Sequence, residues 1–103
     1  VVVVEIILKV KSENVDRVRN TLLSDDVVSR ANVLVRDAKS LIGGEGFEGY
    51  YVRIIGTDEQ CSRASELVKD IVEEVKGEEK ERISAKFEEE GEAAVEGFGR
   101  IFG

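Results

Sequence analysis

The chain opens on an apolar run. Val1, Val2, Val3, Val4, Ile6, Ile7, Leu8 and Val10 are interrupted only by Glu5 and Lys9. A β-branched run with so little alternation fits a strand covered on both faces, here over residues 1–11. Ser12 stands where a helix N-cap would stand. Val15, Val18 and Leu22 then recur at helical spacing, with Glu13 four residues before Arg17, so a helix is predicted over 13–23.

Residues 25–42 carry two patterns at once. Wound as a helix, Val27, Val28, Ala31, Leu34, Val35, Ala38, Leu41 and Ile42 share one face, with only Val33 misplaced. As a strand the alternation is weaker, because Arg36, Asp37, Lys39 and Ser40 intervene. The rest of the chain decides the matter. Tyr50–Ile55 is a clear strand, and two strands alone rarely make a stable sheet, whereas three support a layer of helices. Residues 31–41 are therefore read as a strand, joined to the next by a wide loop over Gly43–Gly49.

Thr57-Asp58-Glu59-Gln60 is a capping box, in which the threonine hydroxyl and the glutamine side chain satisfy each other's backbone N–H. Ala64, Leu67, Val68, Ile71, Val72 and Val75 follow as an unbroken stripe, which predicts a helix over 58–76 ended by Gly77. Residues 78–96 are dense in charge. Ile83, Phe87, Ala94 and Val95 are sparse apolar points among them, and a solvated helix is expected. The closing stretch sets Phe98 and Phe102 among glycines, and an aromatic tail of this kind is expected to dock.

The order of elements is βαββα, most of a ferredoxin-like split βαβ unit. The expected fold is thus an α+β sandwich, an antiparallel sheet with helices on one face. Residues 1–77 form the core domain and 78–103 a charged C-terminal helical extension with an aromatic tail. No segment presents itself as the fourth strand, whose place is beside the first. Strand 1–10 would then be an uncovered apolar edge, open to another chain. A homo-oligomer follows, most simply a dimer, with Val2, Val4, Ile6, Phe98 and Phe102 at its interface. The tail is also a route to a protein partner.

Composition narrows the chemistry. Histidine is absent, which removes Ser-His-Asp triads, Cys-His pairs and the usual zinc sites. Cys61 is the single cysteine, so no disulfide forms within the chain; a reducing, cytoplasmic setting is expected, with Cys61 as a small core residue. The apolar start has no basic leader and is too short to span a bilayer, so no membrane association is expected. Residues 1–57 balance eight acids with eight bases, and the net charge of −7 lies wholly in 58–103. An acidic chain repels phosphate backbones, which disfavours nucleic acid as a partner. High charge, few amides and no Met or Trp suit a thermophile.

Several motifs touch on chemistry. Gly44-Glu45-Gly46-Phe47-Glu48-Gly49 matches G-x-G-x-x-G, but a strand follows instead of a helix and two glutamates stand where phosphate would sit, so it reads as a hairpin loop. Tyr50 and Tyr51 point to opposite faces of their strand; an outward one offers a stacking surface. Arg36, Asp37 and Lys39 are expected across from Arg53, a polar patch suited to an anionic ligand, against ordinary exposed ion pairs. Glu88, Glu89, Glu90 and Glu92 lack a metal-loop spacing and read as a solvated helix face. The residues Val52 to Gln60, with Ala64, resemble the last strand and helix of RNA-binding KH domains over about a quarter of the chain. That family's G-x-x-G loop has no counterpart, since Leu23-Ser24-Asp25-Asp26 stands in its place, and RNA binding is not carried across.

These readings lead to a non-catalytic oligomeric module that binds a small ligand or a protein partner, with no cofactor and no metal. Its ligand-binding candidates are Arg36, Arg53, Tyr50 and Tyr51. The alternative is a domain that binds single-stranded RNA on the sheet face.

Overall fold

The computed structural model describes residues 3–42 and 47–102, the last of these from residue 90 onward through the backbone alone. Strands β1 (Val3–Val10), β2 (Asn32–Asp37), β3 (Tyr50–Thr57) and β4 (Glu73–Val75) form one antiparallel sheet in the order β2-β3-β1-β4. Helices α1 (Val15–Ser24), α2 (Ala38–Ile42), α3 (Asp58–Val68) and α4 (Gly77–Phe102) complete the chain. No helix among the described residues is long and apolar enough to cross a membrane.

The sheet is covered on both sides, not on one as the sequence suggested. Leu8, Val10, Val52 and Ile54 face a first core with Val15, Val18 and Leu22 of α1 and Cys61, Ala64 and Val68 of α3. Ile7, Tyr51 and Val75 face a second core with Ala38 and Leu41 of α2 and Ile83 and Phe87 of α4. The double cover explains why β1 lacks alternation: Ile7 on one face and Leu8 on the other are both fully buried. Ile83 and Phe87 are 0% and 4% exposed, so α4 is not the solvated helix that its thin stripe implied. Two large side chains one turn apart suffice because the sheet presents matching ones.

Strand β4 was hidden inside the predicted helix 58–76. Helix α3 ends at Val68, the chain turns with Ile71 N donating to Val68 O at 3.0 Å, and Glu73–Val75 then pair with β1. Ile71, Val72 and Val75 are β-branched residues whose spacing suits a helix while their shape suits extended chain. Continuing the helix would take Val75 from Ile7 and leave β1 without a neighbour on that side, so pairing overrides periodicity. Gly77, with φ +67°, then swings the chain off the sheet into α4.

Residues 25–42 contain both patterns in series: a 3-10 turn at Val28–Arg30, strand β2 and helix α2. The predicted strand 31–41 is thus cut short at Asp37. The Asp37 Oδ1 atom accepts from Lys39 N at 2.8 Å, a local bond that ends the strand and starts α2. Ala38 N donates to Gly49 O at 2.8 Å and closes the connection to β3. The predicted hairpin loop itself falls largely at 43–46, outside the described residues, but Gly49 is required where it stands. At its φ of +156° a Cβ would collide with Val10 O and the Phe47 ring.

Local signals held where their partners were close in sequence. The Thr57 box forms in both directions, with Thr57 Oγ1 accepting from Gln60 N at 3.1 Å and Gln60 Oε1 from Thr57 N at 2.9 Å. Ser12 makes no cap bond and instead opens a 3-10 turn, Ser12–Asn14, before α1.

Asp25 ties the end of α1 to α3. Its carboxylate accepts from Arg63 Nε and Nη2 at 3.0 and 2.9 Å, and from Val27 N and Val28 N at 3.1 Å each. The Arg63 bond, and after it the Val28 N–H, hold this carboxyl below its ordinary 3.8. The stabilisation is present above that value and fades as pH falls through the lower folded one. In acid titrations followed by circular dichroism, Asp25→Asn should therefore be less stable near neutrality and lose less stability on acidification than the parent chain. Ile83→Ala and Phe87→Ala should each cost about 2–5 kcal/mol in urea unfolding, whereas Leu67→Ala, at an exposed position, should stay within about 0.5 kcal/mol.

Candidate functional site

Strand register fixes what the sheet presents to α4. Val3, Glu5, Ile7 and Lys9 of β1 lie on the same face as Tyr51, Arg53 and Ile55 of β3 and Leu34 and Arg36 of β2. At the centre of this face sits Arg53, 8% exposed. Its Nε donates to Glu5 Oε2, and its Nη2 to Glu88 Oε1 at 2.6 Å. Ser84 Oγ donates to the Glu5 carboxylate, 2.9 Å from Oε2 and 3.1 Å from Oε1. Phe87 lies under the guanidinium, 5.9 Å from ring centre to Cζ. Burial works against the arginine's charge, but the hydrogen bonds to Glu88 and Glu5 outweigh it and hold the group protonated. The cluster therefore clamps α4 to the sheet.

The four ligand candidates do not converge. Arg53 is committed to this clamp. Opposite it stands Leu34, not Arg36; Arg36 pairs in register with Tyr51 and is exposed on the β2 edge. Asp37 is opposite Tyr50, while Lys39 belongs to α2. The two tyrosines do take opposite faces: Tyr50 packs on the first core, and Tyr51 is 1% exposed in the second. Burial pushes the Tyr51 phenol up, and its ring meets Phe47 edge-on at 5.8 Å.

Two surface features stand out, of which only the second was anticipated in the sequence. At the end of β1, Lys9 lies 5.1 Å over the Phe47 ring and bonds Glu79 at 3.2 Å. Lys9 and Phe47, with Lys11, Asp70, Val72 and Glu73, line a cleft of about 280 Å³. Lys9 and Lys11 share it with Glu13, Asp70 and Glu73, so it has no single charge preference.

The second feature is the other end of β1. Strand β3 pairs with β1 from Val3 to Val10, but β4 pairs only with Ile7, Leu8 and Lys9. Among the described residues the stretch Val3–Ile6 thus has one neighbour strand. Val3 is 60% exposed, while Val4, Glu5 and Ile6 are half-buried. Beside it runs a groove of about 410 Å³, with Val4, Ile6 and Cys61 among its lining and Asp58, Glu66 and Glu74 as its charged groups. No lysine or arginine among the described residues lines it. The expectation of a first strand uncovered along its whole edge is corrected. β1 is an inner strand, Val4 and Ile6 pack against the first core, and only half of one edge is open. The other expected interface side chains, those of Val2, Phe98 and Phe102, lie outside the described ones.

Cys61 forms part of the groove but is 3% exposed, and its Sγ lies 3.7 Å from both Val4 O and Ile54 O, either of which can accept its one hydrogen. Burial pushes the thiol up, which keeps it protonated and poorly nucleophilic. Among the described residues no group of three or more His, Cys, Asp or Glu is placed to hold a metal ion. Comparison with protein-family models, with curated proteins and with solved structures finds no match to this chain.

The clamp makes a prediction. Arg53→Met strands the half-buried Glu5 carboxylate and should cost about 2–3 kcal/mol in urea unfolding. Glu88→Gln removes a partner whose side chain is 60% exposed and should cost under about 1 kcal/mol. Equal losses would mean that the pair with Glu5 is not the main anchor.

Proposed function

We propose that this chain is a non-catalytic binding module with a ferredoxin-like core, and that it engages a protein partner at the open half of β1. The order β2-β3-β1-β4, with α1 and α3 as the crossovers, supports the ferredoxin-like reading. The single observation that carries the functional reading is the short reach of β4. It ends at Val75 and leaves Val3–Ile6 as a strand edge beside a groove. An exposed edge is a template for another strand. The homo-oligomer expected from the sequence is the homotypic form of this reading, with a second copy at the same edge.

Catalysis has little to draw on among the described residues. The one buried cation is neutralised by two carboxylates, and the one thiol is held protonated. Binding of single-stranded RNA on the sheet face loses support too, because Tyr51 is buried and α4 lies across that face. A small ligand is the second reading, favoured by the cleft at Lys9 and Phe47, whose size falls just below the usual range for ligand pockets.

Selection from a random library of short extended peptides, followed by backbone amide shift mapping on the full chain, tests the proposal. The selected peptides should move the amides of Val3–Ile6. Binders that move Lys9, Lys11 and Phe47 instead would favour the second reading, and a library without binders would remove the first.

A further inference from the structure

The geometry points to a specific class of partner: the open half of β1 accepts an extended peptide whose exposed side chains are basic. This inference rests on the protein-binding reading above and adds the chemistry of the partner.

The edge supplies the backbone half of the recognition. In an antiparallel sheet alternate residues direct their N–H and C=O groups to opposite sides, so part of Val3–Ile6 directs them away from β3. Beyond Val75 no strand among the described residues meets them, because Gly77 at φ +67° turns the backbone into α4. An added strand would take the position that β4 vacates and lengthen the ladder from Ile7 toward Val3.

The groove supplies the side-chain half. Successive residues of an added strand point to opposite faces, so every second one faces Val4, Ile6 and Cys61 on the α3 side. That floor is apolar and half-buried, which suits an aliphatic side chain. The charged residues that line it are Asp58, Glu66 and Glu74, all exposed and all acidic, while Lys80 acts on Cys61 from outside the lining. Glu66 also meets Lys69 at 3.4 Å, but both side chains are more than half exposed and such a pair holds weakly.

Charge then separates the candidate occupants. A second copy paired edge to edge brings three more carboxylates to the same groove and a further net charge of −7 to the particle. Like charges across an interface oppose association. A strand bearing lysine or arginine meets the same carboxylates as counter-ions. Its aliphatic positions fill the floor and its stems cover the serine-bearing flank of α3.

The test is a backbone amide shift titration of the full chain with capped hexapeptides in which valine alternates with lysine, serine or glutamate. The lysine peptide should shift Val3–Ile6 and bind about tenfold more tightly than the serine peptide at low salt, the scale of a few exposed ion pairs acting together. The advantage should vanish at high salt and in Glu66→Lys combined with Glu74→Lys. An N-methylated lysine peptide, equally charged but unable to extend the ladder, should leave those amides unmoved. Equal binding of the serine and lysine peptides at Val3–Ile6 would overturn the charge assignment while keeping a protein-binding edge. If no peptide moves those amides, both readings fall. Light scattering that gives a dimer, with Val3–Ile6 protected from exchange in a concentration-dependent way, would make a second copy the occupant and overturn the basic partner.

Discussion

Strand β1 must be dry on both faces, and the rest of the architecture follows from that constraint. Ile7 and Leu8 are adjacent, point in opposite directions and are both fully buried. One helical layer protects only one of them. The chain supplies α1 and α3 for Leu8, and α2 and α4 for Ile7. The second layer is held by packing of Ile83 and Phe87 and by a polar anchor, Arg53 between Glu5 and Glu88. The anchor is directional where the packing is not. Ion pairs in such sites are weak evidence for net stability, but removing one partner is costly, so the cluster fixes how α4 lies more than it drives folding.

The same constraint explains where the sheet stops short. β4 contributes three residues, enough to bury Val75 against Ile7 and no more. The chain then has to leave the edge to build the layer over the sheet, and Gly77 makes that turn. Covering the face and finishing the edge compete for the same segment. The face is covered as far as the described side chains reach, while Val3–Ile6 keeps an open side.

Much of this was legible in the sequence, and the part that was not has a common cause. The capping box at Thr57 and the stripe of α1 involve residues three or four apart, so periodicity and side-chain type were enough. β4 is short and lies inside a helical pattern; its identity depends on Ile7, more than sixty residues earlier. The buried role of Ile83 and Phe87 depends likewise on Tyr51 and Ile7. Glu5 and Lys9 read as interruptions of an apolar run, yet both carry anchoring contacts on the α4 face. Their shared parity with Ile7 was a usable signal, because residues two apart on a strand face the same layer. The candidate site was the least legible. Arg36, Arg53, Tyr50 and Tyr51 were chosen for chemistry, but register separates Tyr50 from the others and the clamp consumes Arg53.

Native-state hydrogen exchange on the full chain addresses the central constraint most directly. If β1 depends on both layers, the amides of Ile83 to Phe87 open together with those of Ile7, Leu8 and Ile54, at the free energy of global unfolding. Exchange of the α4 amides at a far lower free energy, with β1 still protected, would show that the sheet stands without its second cover and would contradict this account.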